Sequence, residues 1–206
     1  QLSFSSNIKE DLVRIRVKSP AHKQRVLAGI TLTCGSLFVG RGGAGIVYHT
    51  ESLPVGKYIV SLATAMYELD STMELTEQER RKRPLTVVTL TGGDARRLML
   101  ETGFLIREGD GTLLADHLPD ISDDEEGQRA FLRGLFLGCG SCANPHRGYH
   151  LELVLRTRSM ADDLVALIGH YPLTARVHRR ADKEVVYLKG DDVSGFLALI
   201  GANKAA

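Results

Sequence analysis

Tryptophan is missing from this 206-residue chain, and aromatic residues make up only 6% of it. That argues against a carbohydrate groove or a single-strand platform built on stacked rings. Cysteine is scarce. Three residues, an odd count, argue against a disulfide scaffold and for a reducing compartment. No apolar run approaches the roughly 18 residues of a membrane helix. Gln1 opens a polar stretch and not a signal peptide. An excess of one charge is also lacking: Lys+Arg 26 against Asp+Glu 25 gives +1. A wholesale polyanion clamp needs a large cationic surplus, so only local basic patches remain open. What is present is ordinary globular material, 43% hydrophobic and 25% charged. The length fits one large domain or two small ones, either with enough core to fold.

Hydrophobic spacing divides the chain into alternating helices and strands. Residues 5–16 carry Ile8, Leu12 and Ile15 at helical spacing, and Pro20 stops that helix. A second helix runs over 21–34. Strands over 36–40 and 45–50 follow, with a hairpin turn at Gly42-Gly43. A helix over 54–69 precedes strands 73–77 and 85–90, and Asp94 caps a helix that reaches Glu101. Residues 105–126 break the rhythm with Gly109, Gly111, Pro119 and the run Asp123-Asp124-Glu125-Glu126. They read as a linker; the acidic run belongs either to it or to the first turn of the next helix, where the macrodipole favours negative charge. The order then restarts: helix 128–139, strand 148–155, helix 159–169 capped by Ser159, strands 173–178 and 184–188, and helix 191–200.

The restart is a repeat in sequence. Leu27-Ala28-Gly29-Ile30-Thr31-Leu32-Thr33-Cys34-Gly35-Ser36 aligns without a gap with Leu132-Arg133-Gly134-Leu135-Phe136-Leu137-Gly138-Cys139-Gly140-Ser141. Val87-Val88-Thr89-Leu90 before Gly93-Asp94 matches Val185-Val186-Tyr187-Leu188 before Gly190-Asp191. The expected organisation is an N-terminal helix over 1–20, repeat one over 21–104, a linker over 105–126 and repeat two over 127–203, fused into one pseudo-symmetric domain. Each half reads helix, strand, strand, helix, strand, strand, helix. Glycine in the motif helices lets two backbones approach. Leu27, Gly29, Cys34 and Gly35 are therefore expected to pack against Leu132, Gly134, Cys139 and Gly140 across a pseudo-two-fold axis.

Leu27-Ala28-Gly29-Ile30, with the Leu, Gly and closing Gly kept in both copies, resembles the LAGLIDADG motif of homing endonucleases. A closer resemblance is to the WhiA family of bacterial transcriptional regulators. It is carried by Ser3-Phe4-Ser5 with Lys9-Glu10-Asp11-Leu12, and by Arg129-Ala130-Phe131-Leu132-Arg133-Gly134-Leu135-Phe136-Leu137 followed by Ser141, Pro145 and Tyr149-His150-Leu151-Glu152. Val186-Tyr187-Leu188-Lys189 and Phe196-Leu197-Ala198-Leu199-Ile200-Gly201-Ala202 extend it over nearly the whole chain. The resemblance implies an α+β fold of tandem αββαββα repeats, a saddle whose concave face holds DNA in nuclease members. It also implies a helix-turn-helix domain beyond Ala206, so that this chain is expected to be a fragment. Control of sporulation or cell-division genes in the bacterial cytoplasm, at the nucleoid, and a WhiB-like partner protein are further implications.

Nuclease members usually carry a carboxylate at the eighth motif position, where a pair of them holds divalent metals. Here that position is Cys34 and Cys139, and neither ten-residue motif contains Asp or Glu. A thiol is a poor ligand for hard Mg²⁺. The expectation is no catalysis, no metal and no cofactor, with an endonuclease using atypical ligands such as Asp94 or Glu152 as the alternative. Cys139-Gly140-Ser141-Cys142, with His146 and His150, has the spacing of a redox or zinc pair, against the plainer reading of buried small side chains. Gly40-Arg41-Gly42-Gly43-Ala44-Gly45 imitates a nucleotide loop but leads into a strand, so it reads as a hairpin tip.

Basic residues cluster at Arg80-Arg81-Lys82-Arg83, at Arg156 and Arg158, and at Arg176, Arg179 and Arg180 beside His178. These are the candidate contacts to double-stranded DNA, each adding to the salt dependence of binding. The alternative is a solvated loop. With so small a net charge, the affinity of this chain for DNA is expected to be weak or nonspecific, and a scaffolding role with a docked protein stands beside it.

Overall fold

The structure, a computed structural model, describes residues 3–77, 83–122 and 124–203. Helix α1 (Phe4–Val13) begins where the Ser3 hydroxyl accepts the Ser6 N–H, and it buries Ile8 and Leu12. It ends well before Pro20, which does not stop it but opens α2 (Pro20–Cys34) behind the cap Ser19. Proline suits that first position because its missing N–H has no partner there anyway. Strands β1 (Gly35–Gly40) and β2 (Gly43–Thr50), helix α3 (Leu53–Met66), strands β3 (Asp70–Thr76) and β4 (Leu85–Thr91) and helix α4 (Ala95–Glu101) complete the first half. The second half runs through α5 (Glu125–Cys139), β7 (Gly140–Cys142), a 3-10 turn (Pro145–Arg147), β8 (His150–Leu155), α6 (Arg158–Ile168), β9 (Arg176–Arg180), β10 (Lys183–Lys189) and α7 (Asp191–Ile200). Between the halves lies a two-stranded hairpin, β5 (Leu105–Glu108) and β6 (Gly111–Leu114).

The fold is α+β. Its two four-stranded antiparallel sheets have matching orders, β1-β2-β4-β3 and β7-β8-β10-β9. The same helix-then-hairpin topology thus occurs twice, as the sequence repeat requires. Alternation along each strand buries one face. Ile46, Tyr48, Val88 and Leu90 point to the helices from the first sheet, and Leu151, Leu153, Val186 and Leu188 from the second. Leu27, Ile30, Leu132 and Leu135, all without exposed surface, join the two inner faces into one core.

Helices α2 and α5 make the most extensive helix–helix contact among the described residues. A methyl added at Gly29 would strike the Phe131 carbonyl oxygen and lie 2.5 Å from the Leu135 nitrogen. One added at Gly134 would strike the Val26 carbonyl oxygen and lie 3.1 Å from the Gly29 Cα. Val26 and Phe131 each stand three residues before their own glycine, so the contact is reciprocal. The closing glycines are placed differently. Gly35 abuts Thr31 and Ile46, and Gly140 abuts Phe136, each within its own half where helix turns into strand.

Other local expectations are corrected. Residues 105–126 are not a plain linker, because β5 and β6 pair from Leu105↔Leu114 to Glu108↔Gly111. Each strand has only four residues, too short for the alternation to stand out. Residues Gly140–Cys142 form the short strand β7, which the sequence reading does not include. Thr157, not Ser159, caps α6 by accepting the Met160 N–H. Asp94 turns its carboxylate back to the Glu68 N–H (2.8 Å) and to Arg97 and leaves the α4 amides uncapped. Glu125 and Glu126 lie in the first turn of α5, with Asp124 at the cap position. Asp124 is bound across the halves by His22 Nε2 at 2.8 Å.

Candidate nucleic-acid interface

The two motif helices end side by side at Cys34 and Cys139. Burial pushes both thiols up to about 12, with the proximity of Cys139 adding to the shift at Cys34. Both are therefore neutral thiols at physiological pH. Thr33 tucks its hydroxyl onto the Gly29 carbonyl (2.8 Å) and fills the space a side chain at Gly138 would need. On one flank, Lys9 lies against the Phe136 ring with Nζ 5.7 Å from its centroid. Burial lowers its ammonium pKa, offset in part by Cys139, Cys34 and Glu51. On the other flank a cleft of about 610 Å³ opens between the sheets. Its lining includes Cys34, Ser36, His49, Cys139, Arg156 and Lys183, and no Asp or Glu among the described residues. Nowhere among those residues do three His, Cys, Asp or Glu side chains converge as metal ligands would.

The outer faces of the two sheets, turned away from the helices, differ in charge. Register places Arg176, His178 and Arg180 of β9, Lys183, Tyr187 and Lys189 of β10, and His150 and Glu152 of β8 on the outer face of the second sheet. Tyr187 is its centre. His150 stacks on it at 5.7 Å between centroids, His178 tilts against it at 5.1 Å, and the Lys189 Nζ stands 5.4 Å from the ring. Arg180 grips Glu152 with two nitrogens at 3.2 and 3.1 Å, and His150 reaches the same carboxylate at 3.0 Å. Partial burial pushes the Glu152 pKa up, but hydrogen bonds from Arg180 and His150 outweigh that and hold it below the ordinary range. The first sheet presents Asp70, Thr72, Glu74, Val47, His49, Val87 and Thr89 in the equivalent place, with no Lys or Arg on those strands.

The basic residues singled out from sequence are dispersed by the fold. Arg80, Arg81 and Lys82 lie outside the described residues. Arg83 donates to the Ser6 hydroxyl at 3.1 Å, toward α1. Arg156 donates to the Ala115 carbonyl at the cleft wall. Arg158 is drawn to Asp162 (2.9 Å) and Glu184 (4.0 Å) on α6 and the helix side of β10. Arg176 and Arg180 share the outer face, whereas Arg179, one residue out of phase, pairs in register with Glu184 on the opposite face. Sequence reasoning missed Lys183, Lys189, Tyr187 and His150 as members of this face. The period-2 alternation of β10 held the signal, but it needed the register to β9 and β8 to be read.

The remaining candidates separate. Cys142 is buried and free, its Sγ 3.6 Å from the Ala143 carbonyl, and Cys139 sits at the helix end. His150 is engaged by Glu152. Asp94 and Glu152, the atypical metal ligands considered above, are each committed to an arginine. The Gly40–Gly45 run is the tip of the β1–β2 hairpin, with Gly40 paired to Gly43.

Residues 128–206 match the family model described as the WhiA LAGLIDADG-like domain. The chain is 31% identical over 210 residues to a "Probable cell division protein WhiA" of Syntrophomonas wolfei, aligning over 99% of this chain and 66% of the relative. It thus spans about two thirds of the length of the curated relatives it matches. The N-terminal LAGLIDADG domain of DUF199/WhiA superposes over 98% of this chain and 91% of that one, with a TM-score of 0.76 at 22% identity. The homing endonuclease I-DmoI, in a complex with DNA and Mn, superposes over 88% of this chain and 97% of that one, with a TM-score of 0.58 at 12% identity. Repeated motif, paired sheets, family model and relatives agree: the chain belongs to the WhiA family, through that family's LAGLIDADG-like domain.

Proposed function

We propose that this chain is a DNA-contacting, non-cleaving domain of a transcriptional regulator, acting in the cytoplasm at the nucleoid. The observation that carries the reading is the outer face of the second sheet. Arg176 and Lys189 stand there beside Tyr187, and Lys183 at the other end of β10, with no ion-pair partner among the described residues, while Arg180 is partly neutralised by Glu152. Cations aimed at a phosphate backbone give affinity without sequence readout. The first sheet, with Asp70 and Glu74 in the matching place, adds little, so contact is one-sided and weak.

The residues at the motif position do not fit the divalent metal that a nuclease of this fold uses. Two neutral thiols replace two carboxylates, and hard cations need anionic oxygen ligands. No hydrolytic step follows from this donor set. A second reading, protein docking, is favoured by one feature: the edge strand β1 exposes Leu37, Phe38 and Val39, the last at 75%. A transcription-factor partner, such as a WhiB-like protein, would be accommodated there by strand addition.

The test is binding of a fluorescent duplex across a salt series in EDTA. The unaltered chain is expected to bind with a salt-dependent constant. Arg176→Ala with Lys189→Ala should flatten the slope of log K against log salt by roughly 2, since each phosphate contact contributes about 0.9. An unchanged slope refutes the assignment of this face.

A further inference from the structure

We infer that the edge strand β1 pairs with β1 of a second copy of this chain, joining two first sheets into one continuous sheet. The inference stands apart from the DNA-contacting reading. It takes the edge on which the docking reading rests and assigns it an occupant.

The outer N–H and C=O groups of an edge strand have no ladder partner, and such an edge attracts other strands unless something blocks it. The edges of the two four-stranded sheets are β1, β3, β7 and β9. Three of them are blocked. Strand β7 has three residues, and the Ser5 hydroxyl of α1 accepts the Cys142 N–H at 2.7 Å and donates to the Cys142 carbonyl at 3.1 Å. Strand β9 carries Arg176, Arg179 and Arg180, which repel a copy of the same strand. Strand β3 carries Asp70 and Glu74. Strand β1 holds the place in the first sheet that β7 holds in the second, but it has six residues. It reads Gly-Ser-Leu-Phe-Val-Gly, without a charge or a proline, and exposes all three of its large side chains.

Register favours a second copy as the occupant. Leu37 and Val39 lie on the helix side, opposite Ile46 and Ala44, and Phe38 lies on the outer face opposite Gly45. Phe38 thus has no side chain directly across from it, and its ring lies over Gly40, 2.9 Å from where a Cβ would stand. A two-fold axis normal to the sheet keeps each face on its own side, so outer residues meet outer residues. Centred on Phe38, the pairing sets Phe38 against its own copy and sets Leu37 against Val39 twice on the helix side. Such direct cross-strand pairs are what stabilise a sheet. In the same register Arg41, exposed at the hairpin tip, stands opposite Gly35, which follows the last turn of α2. Each copy therefore brings a cation to the negative end of the other's helix. The acidic edge β3 lies on the far side of the sheet, so the assembly closes at two copies. A dimer carries the Tyr187 face twice, which would offer DNA two weak contacts in place of one.

Sedimentation equilibrium of the unaltered chain over a concentration series reads the assembly. A mass rising from 22.5 kDa to twice that value and no further supports the dimer. A mass that stays at one chain throughout, or climbs past two, overturns it. Val39→Lys puts a charge at an exposed position opposite Leu37 of the other copy, twice per dimer. It should weaken association by at least about tenfold, with the urea midpoint unchanged. Undiminished association places the interface elsewhere and overturns the inference. Cross-linking with oxidised glutathione reads the register independently. Phe38→Cys should form a covalent dimer, because residue 38 meets itself. Leu37→Cys should link to Val39→Cys when the two variants are mixed, and not to itself; the reverse overturns the pairing. A monomeric chain that binds a different protein through β1 would leave the docking reading standing and overturn the second copy as occupant. None of these outcomes bears on the salt slope of Arg176 and Lys189, which tests the DNA reading separately.

Discussion

Gly134→Ala is the sharpest perturbation of the architecture. In an ordinary exposed helix it would stabilise, since alanine is favoured over glycine by about 1 kcal/mol. Here the added methyl would meet the Val26 carbonyl group, with its carbon at 3.0 Å, and the Gly29 Cα at 3.1 Å. These are main-chain atoms of the facing helix and cannot rotate away. The helices must part, loosening Leu27, Ile30, Leu132 and Leu135 at once. Overpacking of this kind costs about 1–3 kcal/mol, and a backbone-on-backbone contact belongs at the upper end. After the propensity gain, a net loss of about 2 kcal/mol remains. For a chain of this length that lowers Tm by about 4–8 °C. Urea unfolding followed by circular dichroism reads it directly. Gly138→Ala is the comparison, because its methyl would first strike the Thr33 hydroxyl, with the Ile30 carbonyl oxygen and the Thr33 Cβ each at 3.1 Å. Thr33→Ala should relieve the hydroxyl clash at 138, leaving the contacts with the Ile30 carbonyl and the residue-33 Cβ, and none of the cost at 134. A rise in the urea midpoint for Gly134→Ala would refute the close-packed helix pair.

Further outcomes follow from single sites. Iodoacetamide should label Cys34 and Cys139 slowly up to about pH 9 at least, because burial holds both thiols at about 12 and only the thiolate reacts; rapid labelling near neutral pH contradicts this. Tyr48→Phe removes the partner of the buried Thr31 hydroxyl, 2.8 Å away, and should cost about 1–3 kcal/mol in urea unfolding. Glu152 has its pKa lowered in the folded state, so its pairing with Arg180 and His150 contributes stability above the unfolded carboxylate pKa and loses it as pH falls through the lowered folded value. An NMR titration of the Glu152 carboxyl should show that depressed midpoint, and Arg180→Ala should move it upward.

The repeat made the fold legible, because two motif copies aligned without a gap and the glycines at 29 and 134 mark helices that touch. Periodicity located the long helices and central strands. It failed where elements are too short to show a period, as in β5, β6 and β7. It also failed at caps, where Asp94 and Thr157 are decided by three-dimensional partners. Composition at the motif's eighth position pointed to thiols in place of carboxylates, and their burial adds that they are neutral. The basic face was only half legible. Arg176, His178 and Arg180 alternate along one strand, but adding Lys183, Tyr187 and Lys189 requires the β9–β10 register, and Arg179 shows that neighbours in sequence part by face.

Hydrogen–deuterium exchange of the chain with and without a duplex, in buffer containing Mg²⁺, tests the central claim most directly. Protection over 176–180 and 183–189, weaker or absent over 70–76 and 85–91, with the duplex recovered uncut, is the result expected of a one-sided, non-cleaving DNA face. Protection centred on the first sheet, protection nowhere, or cleaved DNA would contradict it.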